Sequence, residues 1–439
     1  MMEKNNFVKF LDDKFLISER GGSIKGEFFG GLTTFLTISY IIFVNPAVLS
    51  LTGMDKGALV TVTCVATAIG SFLGGILGNV PISLAPGVGL NAFFTFTLVK
   101  GNGIPWQDAL GVVFFSGVFY LILAICGVRE KIINSIPQQL STAATVGIGL
   151  FLSLIGLKSM GVIEANPETL VKIAPITLPV ALSFAGLFLM YILDMKKVRG
   201  GVLISIIVIS IIGMFLGEVD IPEKLLSSPP SMTPLLFKLN VFGVLKISLL
   251  GSIFSFMFID LFDSLSVLMF TYKEVQFRDE EERKKGLGRM LLADCSSTII
   301  GALLGTSTVT TYGESIAGIK VGAKTGLASI FTGLFFLLAL FIAPIVEAIP
   351  VFAVSPALVI VGIFMFRNIS QLDLSTMKES IPAFMTIIFM PMTHSIAIGL
   401  SIGFISYIII NVACADFKKI SLTMWVIGCL LYTSDAADD

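Results

Sequence analysis

Charge is what this chain has least of. Asp, Glu, Lys and Arg make up 13% of its 439 residues, against about 25% in soluble globular domains, so much of its surface cannot be facing water. Histidine is scarcer still. His394 stands alone, in Pro391-Met-Thr-His-Ser395, where it reads as an interfacial residue without a role, and its isolation removes the commonest general base. The five cysteines (Cys64, Cys126, Cys295, Cys414 and Cys429) are far apart with no CxxC or His-paired spacing, which indicates neither a zinc site nor a disulfide framework. A basic excess is missing too: 29 Lys+Arg face 30 Asp+Glu, so no nucleic-acid partner is expected. An enzyme would need a catalytic constellation, and no metal, cofactor or triad spacing supplies one. What is present is apolar, 55% hydrophobic with a mean hydropathy of +0.94. The bilayer is this chain's solvent.

A helix takes about 20 apolar residues to cross a membrane. Runs of that size recur near 28–49, 57–77, 106–127, 139–157, 174–193, 200–217, 246–270, 287–305, 325–346 and 395–413. Shorter or broken runs lie near 82–98, 306–319, 353–366 and 381–392. Together they predict an all-α polytopic membrane protein of fourteen passes. Residues 1–26 are polar and mixed in charge, without the n-region, h-region and cleavage site of a signal peptide, so the first run reads as a retained span. With the N-terminus in the cytoplasm, alternation places 22 of the 29 Lys and Arg on the cytoplasmic side and 7 outside, as the positive-inside rule requires. The charged stretch Lys273–Arg289 reads as a solvated cytoplasmic linker, and Leu225–Pro234 as an outer loop broken by prolines.

The chain also repeats itself. Gly74-Gly-Ile-Leu-Gly78 precedes one broken segment and Gly301-Ala-Leu-Leu-Gly305 the other. Ile136-Pro137 leads to Ala144, Val146, Gly149 and Phe151, while Ile349-Pro350 leads to Ala357, Val359, Gly362 and Phe364. Offsets of 227 and 213 residues divide the chain into two halves of seven passes, and seven being odd, the second half is inverted. In the broken segments, Pro81–Gly89 holds two prolines and two glycines and cannot form continuous helix. Thr306–Gly313 is rich in β-favouring threonine. Irregular backbone persists at membrane depth only where protein or a cavity satisfies it. Passes three and ten are therefore expected to be short extended strands at the midplane, each running into a half-helix whose N-terminus faces a ligand.

Four carboxylates fall inside apolar passes: Asp260, Asp263, Asp294 and Glu314. Each costs about 2.5–3.5 kcal/mol on insertion scales and so marks a pathway or site. Asp260 and Asp263 are three apart, hence on one helical face, and Glu314 follows the Tyr312-Gly313 break. Asp263, Glu314 and Asp294 are the candidates to carry a proton. Asp294 reads equally well as a partner for backbone freed by the broken helices. Phe258 or Tyr312 could stack on a flat ring, although phenylalanine is so common here that packing explains any one of them. Gly318-Ile-Lys-Val-Gly-Ala-Lys-Thr325 nearly spells a phosphate loop, but Ala323 replaces its second glycine and no soluble strand precedes it.

Gly30–Pro46, Ala85–Phe94, Asp260-Leu-Phe-Asp263 and Thr310-Thr-Tyr-Gly-Glu-Ser315 resemble the AzgA-like purine permeases of the nucleobase–cation symporter-2 (nucleobase–ascorbate transporter) family over about residues 14–430. The resemblance implies a seven-plus-seven inverted repeat with a core domain (27–127 and 246–345) and a gate domain (128–245 and 346–413). It implies proton-coupled uptake of adenine, guanine or hypoxanthine by alternating access across the cell membrane, often as a homodimer, with the proton as co-transported ion and no cofactor. By motif, Asp260, Asp263 and Glu314, with Asn91, Gly313, Tyr312 and Phe258 around them, correspond to the substrate site. The pass-eight aspartates favour the AzgA-like branch, where xanthine and uracil carriers place a glutamate. A xanthine or uracil permease, or an anion transporter of the same fold, is the alternative; the last would need a cation beside the half-helices, with Lys320 and Lys324 the candidates. Residues 414–439 depart from the family. The apolar run 421–432 stops short of a span, and the acidic tail 433–439 reads as truncated or non-native.

Overall fold

The structure, a computed structural model, describes residues 2–126, 137–221, 224–244, 247–416 and 424. The run 421–432, apart from Met424, and the tail 433–439 lie outside the described residues, as do the start of the gate segment at 128–136 and Cys429.

A polar helix α1 (Met2–Phe15) precedes the first pass, which bends at Ser39-Tyr40 between α2 (Ile24–Ile38) and α3 (Ile41–Leu49). Asp55 caps α4 (Lys56–Leu73) by accepting from the Ala58 N–H at 2.7 Å, which satisfies one of the N–H groups every helix start leaves free. The chain then loosens over Gly74–Gly78 and turns at Asn79, whose φ is 48°. Strand β1 (Leu84–Pro86) follows, then the half-helix α5 (Val88–Ala92), continued with wider turns through Phe93–Gly101. Next come α6 (Trp106–Ile125), α7 (Gln138–Ser159), the hairpin β2 (Ile163–Asn166) and β3 (Leu170–Ile173), α8 (Leu178–Met195) and α9 (Gly201–Phe215).

The second half repeats this order. Helices α10 (Ile247–Thr271) and α11 (Glu280–Leu304) lead to β4 (Val309–Thr311) and the half-helix α12 (Ser315–Val321). They are followed by α13 (Gly326–Leu338), α14 (Ala343–Ala348), α15 (Val351–Phe366), α16 (Met377–Thr393) and α17 (Ile396–Ala413). Helix α11 ends at Gly305, in the left-handed region with φ 99°, as the corresponding turn of the first half ends at Asn79.

Ten of the described segments are long and apolar enough to cross a membrane. Two expectations change in detail. The run 353–366 is part of a full-length segment, Val351–Gln371, whereas 200–217 yields only the 15-residue Gly201–Phe215. The charged stretch 273–289 is not all linker: Asp279 caps α11, accepting from Glu282 N–H at 2.7 Å, and the acidic first turn suits the positive end of the helix.

Helices α2, α3, α4 and α6 pack with α10 to α13, and α7, α8, α9, α15, α16 and α17 pack with one another. The two groups meet where α3 lies on α15, α5 on α7 and α2 on α9. Within the second group, α7 and α15 are the repeat partners and touch backbone to backbone. A methyl group on Gly149 would stand 2.7 Å from the Gly362 carbonyl oxygen, and one on Gly362 would meet that of Gly149. Outward-facing Phe188, Met195, Ile211 and Phe215 are exposed, the apolar surface that lipid tails cover.

Candidate functional site

The two broken segments meet as a two-stranded antiparallel ladder, with Leu84 opposite Thr311, Ala85 opposite Thr310 and Pro86 opposite Val309. Its ends are closed by Gly87 N–H donating to the Thr308 carbonyl at 3.1 Å and Tyr312 N–H donating to that of Ser83 at 3.0 Å. Neither strand could satisfy its backbone alone inside lipid, so the ladder is the local reason both halves come together. The Tyr312 hydroxyl adds a brace, donating to the Pro86 carbonyl at 2.5 Å. The expected pair of extended segments with a half-helix after each is the arrangement observed.

The four acids fall into two kinds. Asp263 and Glu314 are half-buried and keep accessible surface, whereas Asp260 is 1% and Asp294 0% exposed. Asp263, from α10, stands within electrostatic reach of Glu314, which occupies the N-cap position of α12. Next to Glu314 the backbone leaves room: a methyl group on Gly313 would meet nothing nearer than Val267 Cγ1 at 3.8 Å. Asp294 lies behind, with Oδ2 accepting from Ser264 Oγ at 2.6 Å. Ser264 has one hydroxyl hydrogen, so Thr310, 2.7 Å away, donates to it; this chain ties Asp294 to β4. Asp260 turns to α11, where Thr298 Oγ1 donates to its Oδ2 at 3.2 Å. The two are only about 60° apart around α10, so their different exposure comes from what packs against each: Asp260 faces Thr298 of α11, while Asp263 keeps accessible surface.

The other expected residues are placed as follows. Asn91 is 0% exposed and donates to Asn45 Oδ1 at 2.7 Å while accepting from the Ser307 hydroxyl. Asn45 in turn donates to Thr63 at 2.6 Å and to Thr306 at 3.2 Å, so Asn91 belongs to a closed polar network joining the first pass to both broken segments. Phe258 is buried and packs between Phe254 and Phe262, at centroid distances of 4.6 and 5.6 Å. Tyr312 is buried with its hydroxyl engaged.

One contact to the acids was not foreseen. Tyr40, at the bend in the first pass, donates its hydroxyl to Glu314 Oε1 at 3.0 Å. Tyr40 lies inside the Gly30–Pro46 stretch, but only the fold reveals its partner.

The near-phosphate loop has a clear physical role. Its Lys324 and Thr325 N–H groups donate to Glu27 Oε1 at 3.0 and 3.1 Å, so the chain's own carboxylate holds the place an anion would take at the start of α13. Arg20 reinforces the junction, donating to the carbonyls of Asn79 and Lys324 at 2.6 and 3.1 Å and to Glu282 Oε1 at 3.0 Å. Lys320 stands in the last turn of α12, at the end opposite Glu314. Neither lysine candidate for an anion site is at the acids. Among the described residues, no group of three or more His, Cys, Asp or Glu could hold a metal.

Comparison with known proteins agrees with this architecture. A family model described as "Permease family" (Xan_ur_permease) matches residues 25–402. The chain belongs to that family, the nucleobase–ascorbate transporters. The guanine/hypoxanthine permease PbuG of Bacillus subtilis is 41% identical over 423 residues, covering 94% of this chain and 96% of its own length. The adenine permease AdeP of Escherichia coli is 38% identical over 421 residues, covering 96% and 94%. Among solved structures, the transmembrane domain of a cyanobacterial bicarbonate transporter, BicA, superposes with a TM-score of 0.63 over 89% of this chain and 97% of its own, at 15% identity. That likeness shows the fold, the inverted repeat, and not the cargo. The permease is a multi-pass membrane transporter.

Proposed function

We propose that this permease takes up purine nucleobases (adenine, guanine or hypoxanthine) by proton symport, with Asp263 and Glu314 holding the base. The observation that carries the reading is that, of the four acids that fall inside apolar passes, the two with accessible surface come from separate elements of the second half, α10 and the N-cap of α12, with room for a methyl group at Gly313 beside Glu314. The similarity to adenine and guanine/hypoxanthine permeases supports the cargo class. A purine presents N–H donors along a flat edge, and an ionised carboxylate is acceptor-only, so two acids can grip that edge. A neutral base feels no pull from the membrane potential, whereas a proton gains about 2.3 kcal/mol per 100 mV. Asp263 and Glu314 would carry that proton, with Asp294 behind them as a further station.

In this reading the α2–α6 and α10–α13 group is the core that carries the site, and the α7–α9 and α15–α17 group is the gate against which it moves, in a plasma-membrane protein with a cytoplasmic N-terminus that pairs as a homodimer. Uptake of radiolabelled hypoxanthine, in cells lacking their own purine carriers, tests it. Unlabelled adenine, guanine and hypoxanthine should compete, uracil should not, and a protonophore should collapse accumulation. Glu314→Gln and Asp263→Asn should each abolish uptake while the protein still reaches the membrane; normal accumulation in both would overturn the site assignment.

A further inference from the structure

Tyr40 and Glu314 are 274 residues apart and belong to opposite halves, yet the Tyr40 hydroxyl donates to Glu314 Oε1 at 3.0 Å. Tyr40 is 3% exposed, so its ring is packed and only its polar tip reaches the site. Glu314 sits at the N-cap of α12 without capping that helix through its side chain. Its carboxylate is therefore steered from outside its own helix, and on one oxygen. A phenol donates one hydrogen, which leaves Oε2 for a ligand. The neighbouring Tyr312 cannot take over the task, because its hydroxyl is committed to the Pro86 carbonyl.

We infer that Tyr40 is a positioning residue that decides which Glu314 oxygen a purine meets, and thereby sets the preference among bases. The inference rests on the reading of Asp263 and Glu314 as the substrate acids. With one lone pair of Oε1 taken and the carboxylate plane held by the phenol, Oε2 is the more available acceptor, at a fixed angle to the space beside Gly313. Without the phenol the carboxylate turns about its last bond, and the fit to one N–H edge over another relaxes. Hypoxanthine and guanine carry a ring N–H next to a carbonyl, whereas adenine carries an exocyclic amine next to a bare ring nitrogen. These edges demand differently placed acceptors, so a loosened Glu314 blurs the choice between them.

Tyr40→Phe keeps the packed ring and removes only the donor. In uptake assays its KM for hypoxanthine should rise about tenfold, the scale of one hydrogen bond to a charged group, with maximal rate little changed and the preference between hypoxanthine and adenine altered. In binding assays on purified protein, adding Tyr40→Phe to Glu314→Gln should weaken hypoxanthine binding no further. A Tyr40→Phe protein with wild-type KM and wild-type preference would overturn the inference. An equal loss on adding Tyr40→Phe to Glu314→Gln would also overturn it, by showing that Tyr40 acts elsewhere. If Glu314→Gln alone bound hypoxanthine like the wild type, the underlying site reading would fall, a result distinct from either.

Discussion

At the scale of single residues, the site is defined by which polar groups remain available. Asp260, Asp294 and Asn91 are closed off by the protein and engaged with hydroxyls or amides, while Asp263, Gly313 and Glu314 keep accessible surface, Glu314 with one oxygen held by Tyr40. Gly313 offers a clean probe, because a methyl group there meets only Val267 at 3.8 Å. Gly313→Ala should fold normally and raise the KM for hypoxanthine roughly tenfold, the effect of one methyl group in a fitted pocket; an unchanged KM would place the base elsewhere. All four acids were legible in the sequence, since carboxylates in apolar runs are conspicuous. Their division into accessible and closed was not, because it depends on what packs against each turn of α10. Tyr40 was hidden for a related reason: one tyrosine in an apolar helix reads as packing until its partner is located.

At the scale of elements, proline, glycine and threonine announced the broken segments, because each removes a condition of continuous helix in lipid. Their pairing into one ladder followed from the need to satisfy freed backbone groups. Lengths were read less well. The run 353–366 looked short because Arg367–Gln371 continues the segment as a polar, tightly wound turn, which hydropathy alone does not count. The repeat match of Gly149 with Gly362 proved to be a physical contact between α7 and α15. Gly362→Ala should cost about 1–3 kcal/mol through overpacking and lower the melting temperature of the purified protein, and an unchanged melting temperature would refute that tight approach. The junction of Arg20 and Glu27 with Lys324 and Thr325 could not be read in advance, since its partners are some 300 residues apart.

At the scale of the whole molecule, two inverted halves build one group of helices around the paired strands and a second group beside it. The composition already required a membrane protein, and the expectation of an odd number of passes per half pointed to the inversion that the fold shares with the bicarbonate transporter. What had to be located in space was the residues that each half contributes to the common site: Tyr40 from the first, Asp263, Gly313 and Glu314 from the second. The most direct test is an experimental structure of the permease with hypoxanthine bound. It should place the bicyclic ring beside Gly313, within hydrogen-bonding distance of both Asp263 and Glu314. A base bound away from either carboxylate would contradict the account.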